Sequence, residues 1–316
     1  MKISAVIITD NNPKVLNAIK SVYDFCFEIV VINNVESFSV AKQINQFDKK
    51  GKVVYGQYVW RDDFADARNY AIEKATGDYI FSIDSDEVLE NKSLNISNEY
   101  DFYFVNIYNG NRPHKVIRIF KNIPEIRYKN KLHESVEDSV KDLKGTKTNI
   151  LIRHNGLESI EDLRSKAERN YRILLKDVDN PHRDIHLCKH YFAVGDYESA
   201  IEYGNKALKI EDVNEDNKAI LCNILYECCE KQGFTGAGVA FLKKSIEIFP
   251  QQITARYLIC NYLYSLKDRL KHKNLLLAQL KVIGSLITFK NSELSNEIYL
   301  SINVVNKKIK EIQQWQ

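Results

Sequence analysis

Ala75-Thr76-Gly77-Asp78-Tyr79-Ile80-Phe81-Ser82-Ile83-Asp84-Ser85-Asp86-Glu87 changes its chemistry within a few residues. Gly77 stands where the C-terminus of a preceding helix favours glycine. Tyr79 to Ile83 is a short apolar run of strand-forming residues, and it ends directly on Asp84-Ser85-Asp86-Glu87. Carboxylates of an Asp-x-Asp at a strand end project past the sheet edge, where a hard divalent cation can bind them together with diphosphate oxygens. Such a cation neutralises charge that builds on a departing nucleoside diphosphate. Taken alone, the same four residues read equally well as a solvated strand-to-helix turn.

Upstream of this stretch, strands and helices alternate. Ile3 to Ile8 is a continuous apolar run, the pattern of a strand buried on both faces. Pro13 to Tyr23 reads as a helix with proline near its first turn. Glu28 to Ile32 is a second strand, Phe38 to Phe47 a second helix, and Lys52 to Tyr58 a third strand. Asp62-Asp63 precedes the helical run Phe64 to Ala75, and one of the two aspartates caps it. This order predicts a largely parallel α/β sheet with helices on both faces and a ligand at the carboxyl ends of its strands.

Downstream the pattern changes twice. Asp101 to Tyr108, Lys115 to Lys121 and Asn149 to His154 read as further strands, separated by loops rich in Asn, Lys and Gly. From Ile160 onward every strong pattern is helical. Cys188, Tyr191, Gly195-Asp196-Tyr197, Ala200, Tyr203 and Ala207 lie at tetratricopeptide spacings, and a weaker copy runs through Tyr226, Gly233, Phe241 and Pro250. The two glycines lie farther apart than the ~34-residue period, so an insertion is expected between them. After Ile253 the helices are amphipathic without a clean repeat. A domain boundary is placed near Gly156, giving an α/β domain over 1–156 and an all-α, tetratricopeptide-like domain over 157–316.

Composition narrows the function classes. The 316 residues are 44% hydrophobic and 28% charged, with a formal net charge of +3. Those values fit ordinary globular domains, and the well-mixed charge argues against a nucleic-acid partner. Six cysteines lie without Cys-x-x-Cys spacing, as reduced thiols would. The apolar run at the N-terminus is stopped by Asp10, too soon for a signal-peptide core, and no later stretch approaches a membrane span. A cytoplasmic location follows as the expectation.

Trp60-Arg61-Asp62-Asp63-Phe64-Ala65-Asp66-Ala67-Arg68-Asn69, followed by Ala75 to Glu87, resembles family 2 glycosyltransferases of the GT-A fold. Arg118-Ile119-Phe120-Lys121-Asn122, Leu132-His133-Glu134 and His154-Asn155-Gly156 resemble, in order and spacing, the branch of that family in which tetratricopeptide repeats follow the catalytic domain.

The resemblance implies a metal-dependent, inverting transfer of a sugar from a nucleotide-sugar donor, UDP-linked, with Mn2+ or Mg2+ as cofactor. Thr9 would lie beside the nucleoside. Asp63 and Arg68 would help hold the donor, and Asp84 and Asp86 would serve ribose, diphosphate and metal. His133 would approach the metal, alongside Asp86, or the leaving phosphate. Where the family carries an aspartate to read the base, this chain has Asn33-Asn34, and the Asn33 amide offers both a donor and an acceptor to a uracil edge. Glu134 is the candidate general base that inversion requires, with Glu137 and Asp138 in reserve. Structural alternatives stand beside these roles: Asp62 or Asp63 as a helix cap, Arg68 as an ion-pair partner of Asp84 or Asp86, and Trp60 as a core or hinge residue as readily as a wall for the sugar.

The repeats point to an acceptor that is a peptide or protein, modified on Ser, Thr or Cys as in flagellin or a bacteriocin precursor, or to homo-oligomer formation. The alternatives are a cell-envelope glycan as acceptor, or a scaffold whose transferase domain is degenerate.

Overall fold

The computed structural model describes residues 1–37, 39–91, 96–108, 113–154, 160–180, 182–211, 213–289 and 300–315. Phe38, Asn155 and the boundary expected near Gly156 lie outside them. The chain divides into two compact units, Met1–Asp177 and Val178–Gln316.

The first unit runs β1 (Ile3–Thr9), α1 (Val15–Val22), β2 (Glu28–Asn33), α2 (Ser39–Phe47), β3 (Val53–Gln57), α3 (Phe64–Glu73), β4 (Tyr79–Ser82), β5 (Glu87–Leu89), β6 (Phe102–Tyr108), β7 (Pro113–Lys121), β8 (Gly145–His154) and α4 (Ile160–Lys176). Its strands form one eight-stranded sheet in the order β3-β2-β1-β4-β7-β6-β8-β5. β1 to β4 are parallel, as their alternation with helices predicts. The far half is mixed: β7 is antiparallel to both β4 and β6, β5 is antiparallel to β8, and β6 is parallel to β8. The chain between β6 and β7 is too short for a crossover, so those neighbours must run antiparallel.

The continuous apolar runs have a simple cause. On β1, Ile3, Ala5 and Ile7 pack on one face with Val15, Ile19 and Val22 of α1, while Val6 and Ile8 pack on the other with Ala67, Ala71 and Ile72 of α3. Both faces are covered, so no polar alternation survives. Gly77 is not a left-handed helix cap. α3 ends at Lys74 in right-handed geometry, and a Cβ on Gly77 would lie 2.5 Å from Ser4 Oγ. Its N–H donates to that same oxygen at 2.8 Å.

The second unit is all helical among its described residues: α5 (Arg183–Val194), α6 (Tyr197–Ala207), α7 (Glu215–Lys231), α8 (Thr235–Ile248), α9 (Thr254–Ser265), α10 (Lys273–Phe289) and α11 (Ile302–Gln313). Each packs on the next in the chain. Gly195 and Gly233 end α5 and α7 with φ of 83° each, a conformation that favours glycine. The residues that lengthen the spacing sit in α7, which has 17 residues against 12 in α5. Gly204 of α6 admits Leu225 of α7, whose Cδ2 would lie 2.7 Å from an added Cβ.

Candidate active site

The carboxyl ends of β1 and β2 lie side by side, with Thr9 in register with Asn33. Both residues are buried. The Thr9 hydroxyl accepts from the Asn12 N–H at 3.2 Å, which ties it to the following turn. The Asn33 side-chain amine donates to the carbonyls of Val35 at 2.8 Å and Ser37 at 3.0 Å, holding the turn after β2. Its carbonyl oxygen is buried with no hydrogen-bond partner among the described residues. Asn33 therefore has a single acceptor left to offer, and an unmatched buried acceptor is costly until a donor meets it.

Beside β1, β4 delivers its acids into a network of guanidinium groups. Arg68 of α3 is buried, with Nη2 2.6 Å from Asp84 Oδ1, Nε 2.6 Å from Glu134 Oε1 and Nη1 3.2 Å from Ser82 Oγ. Arg118 of β7 reaches the same turn, donating from Nη2 to Asp84 Oδ2 and to Glu87 Oε1, each at 2.9 Å. The Asp84 backbone N–H donates to Glu87 Oε2 at 2.9 Å. Burial opposes ionisation of Asp84, but Arg118 and Arg68 outweigh it and hold the carboxyl well below the usual range. Glu87 goes the other way: burial raises it despite the pull of Arg118. Both oxygens of Asp84 are thus engaged by the protein itself. The ion-pair role for Arg68 is what the structure places here, with Asp84 as partner.

The loop after β7 brings Glu134 to this network. Asn69 of α3 grips Tyr128 from both sides, donating to its carbonyl at 3.0 Å and accepting from its N–H at 2.9 Å. The Phe64 N–H at the start of α3 donates to the Lys131 carbonyl at 2.8 Å, and a bridge between Lys129 and Ser135 closes the loop. His133 sits at φ 56°, Asn130 at 70°, Asp62 at 56° and Asn11 at 65°; these are the described non-glycine residues with positive φ. Asn11 follows β1, Asp62 precedes α3, and Asn130 and His133 lie in the loop after β7, where backbone strain of about 1–3 kcal/mol each is tolerated around a site. Glu137 and Asp138 lie in the 3-10 turn Glu137–Val140, and Asp138 pairs there with Lys141 at 2.8 Å.

Asp86 stands outside the guanidinium network. Its Oδ2 lies 3.2 Å from His154 Nε2 at the end of β8. The histidine paired with Asp86 is therefore His154, whereas His133 occupies the loop that positions Glu134. Among the described residues no three His, Cys, Asp or Glu side chains are spaced to hold a metal unaided. Asp63 is the helix cap, accepting from the Asp66 N–H at 2.9 Å. Asp62 instead accepts from Trp60 Nε1 at 3.1 Å and pairs with Arg172 at 3.2 Å and Lys176 at 3.0 Å on α4.

Residues 4–155 match the family described as Glycosyl transferase family 2. That match covers a little under half of the chain, which over these residues is similar to a family 2 glycosyltransferase domain. The SPbeta prophage-derived glycosyltransferase SunS of Bacillus subtilis (strain 168) is 24% identical over 246 residues, covering 70% of this chain. The chain spans 58% of the length of that relative. A TPR repeat-containing protein of Synechococcus elongatus is 32% identical over 149 residues, 41% of this chain and 37% of its own length. S. aureus TarS is a more distant likeness in structure, with a TM-score of 0.47, 14% identity, and coverage of 75% of this chain and 54% of its own. The Pyrobaculum calidifontis mannosyltransferase PcManGT, solved with GDP-Man and Mn2+, has a TM-score of 0.43, 13% identity, and coverage of 92% and 88%.

Within the transferase domain the structure gathers Arg68, Asp84 and Glu134 into one network, sets Thr9 beside Asn33, and leaves Asp63 to its helix. Arg118, Glu87, Ser82 and His154 belong to the site without having been assigned roles from the sequence. The signal for Arg118 lay in register: β7 is antiparallel to β4 with Ile119 opposite Phe81. That pairing puts Arg118 level with Ser82; the segment Arg118 to Asn122 resembles the family, but the role of its arginine could not be read from it. No described helix is long and apolar enough to cross a membrane.

Proposed function

We propose that this chain transfers a sugar, with inversion, from a UDP-linked donor to a Ser, Thr or Cys side chain of a peptide or protein, assisted by Mn2+ or Mg2+ in the cytoplasm. The observation that carries the reading is the division of labour in Asp84-Ser85-Asp86. Asp84 is consumed by Arg68 and Arg118, and Asp86 is left at the strand end with His154. Two side chains do not complete a cation site alone, but they fit one whose remaining oxygens come from the donor's diphosphate and water. Bound there, the cation would neutralise charge on the leaving nucleoside diphosphate.

The chain's own residues do the rest. Thr9 and Asn33 flank the nucleoside, and the unmatched Asn33 oxygen suits the imino N–H of uracil; cytosine has an acceptor at that position. Arg68 orients Glu134, which takes the acceptor's proton during attack. An oriented base fixed by a second group is the arrangement such catalysis needs. The helical unit serves as a platform for the polypeptide acceptor, because helical repeats offer extended surfaces to extended chains.

The test is to incubate the full chain with UDP-sugars, a divalent cation and a library of Ser-, Thr- and Cys-containing peptides, and read both UDP release and peptide mass. A sugar-sized mass gain that Asp86→Asn abolishes supports the reading. UDP release without any peptide gaining mass refutes the peptide acceptor, and no release with any donor refutes the transferase activity.

A further inference from the structure

The geometry points to Arg169 of α4 as a diphosphate-binding residue of the donor site, a role that rests on the nucleotide-sugar reading above. α4 follows the sheet in the chain and lies beyond the transferase motifs. It is nevertheless fastened to the domain, since Arg172 and Lys176 both pair with Asp62, the residue just before the cap of α3. One helical turn before Arg172, the Arg169 guanidinium lies over the Phe64 ring at 4.9 Å to its centroid. Phe64 opens α3, the helix that carries Arg68. The anchored end of α4 thus sets Arg169 against the wall of the site.

Three features mark the Arg169 side chain. It is half-buried rather than exposed. Its side chain forms no ion pair within the described residues and donates only to the adjacent Asn170, at 3.2 Å from Nε and 3.0 Å from Nη2. Burial and the neighbouring Arg172 charge lower its pKa, against the pull of Asp10, Glu134 and Asp62. A half-buried guanidinium attracted by three carboxylates but clasped by none is a cation short of an anion.

Those carboxylates place Arg169 beside the donor site. Asp10 directly follows Thr9, at the nucleoside end of the donor site. Glu134 is joined through Arg68 to Asp84, two residues before Asp86 at the diphosphate end. A nucleotide diphosphate stretched from Thr9 and Asn33 to Asp86 passes between those same landmarks. Arg169 can donate to its oxygens through the planar fork that suits phosphate. It would stabilise the leaving group alongside the cation, and no atom of Arg169 takes part in bond making.

Titration calorimetry with the full chain tests this, using UDP and uridine as paired probes, with GDP and guanosine as a second pair. Arg169→Gln should weaken UDP binding about 10- to 100-fold, the worth of hydrogen bonds to a charged group. Uridine binding should stay within about twofold, because uridine lacks the diphosphate. Arg169→Lys, which keeps the charge but loses the fork, should fall between. Equal UDP affinity in wild type and Arg169→Gln overturns the role. So does a parallel loss for UDP and uridine, which would mark a structural defect. If the wild type binds neither diphosphate, the donor reading fails first and Arg169 falls with it.

Discussion

Replacing each aspartate of Asp84-Ser85-Asp86 in turn by asparagine should separate stability from chemistry within one loop. Asp84 accepts from Arg68 Nη2 at 2.6 Å and from Arg118 Nη2 at 2.9 Å. In Asp84→Asn the carbonyl keeps one guanidinium, while the new amine faces the other, donor against donor. Hydrogen bonds to charged groups are worth about 1.5–3 kcal/mol each. Breaking a buried ion pair from one side costs about 3–5 kcal/mol, because the partner charge stays buried. For a unit of this size that corresponds to a fall in Tm of roughly 6–20 °C. Among the described residues Asp86 has a single ion-pair contact, His154 at 3.2 Å, so Asp86→Asn should cost about 1 kcal/mol or less. Its effect falls on turnover instead. Differential scanning calorimetry and a UDP-release assay on both variants read the two axes independently. Equal stability in the two variants would refute the division of labour, as would full turnover in Asp86→Asn.

Other predictions follow from the same packing. Glu134→Gln keeps an acceptor for Arg68 Nε but removes the charge of a buried pair, so it should lower Tm, less than Asp84→Asn does, while turnover on a hydroxyl acceptor falls about 10²- to 10⁴-fold; unchanged turnover would move the base to Glu137 or Asp138. Glu28 is buried, and its ionisation is favoured despite burial because Ser4 and Thr76 donate to it. A pKa lowered by folding means that the stabilisation is present above about pH 4.3 and is lost as pH falls through the folded value. Glu28→Gln should therefore lower Tm at pH 7, with the gap to wild type closing in acid; a gap constant from pH 7 to pH 3 would contradict the assignment. Gly77→Ala should cost about 1–3 kcal/mol, since the new methyl would lie 2.5 Å from Ser4 Oγ and 2.9 Å from Ser4 N; denaturant midpoints decide it.

The parallel half of the sheet was legible because strands buried on both faces read as apolar runs and the intervening helices carry their own period. The far half was harder. β5 has three residues and follows directly on the acidic turn, so no periodicity marks it. Of the candidate site, what was legible was placement close to a residue's own strand, as for Thr9, Asp84 and Asp86. Arg118 enters through an antiparallel register, and Arg169 through a helix docked by ion pairs at Asp62. Contacts of that kind depend on long-range pairing, for which a single sequence has no local signature. Asp62 and Asp63 show the limit at close range. Adjacent residues of one type cap a helix in one case and anchor a distant helix in the other, and only the backbone turn at Asp62, with φ 56°, distinguishes them.

The central claim is a nucleotide-sugar site formed by the ends of β1, β2 and β4 with a divalent cation at Asp86. Its most direct test is a thermal-shift panel of UDP-, GDP- and CDP-sugars on the full chain, with Mn2+, with Mg2+ and with excess chelator. A ligand at about 100 times its Kd stabilises the native state by about 2.7 kcal/mol. A rise in Tm of roughly 5–10 °C is then expected with UDP-sugars and metal, and little with CDP-sugars, which give the Asn33 oxygen no imino N–H. Chelator or Asp86→Asn should remove the shift. No shift with any nucleotide sugar, or the same shift in chelator as in Mn2+, would contradict the account.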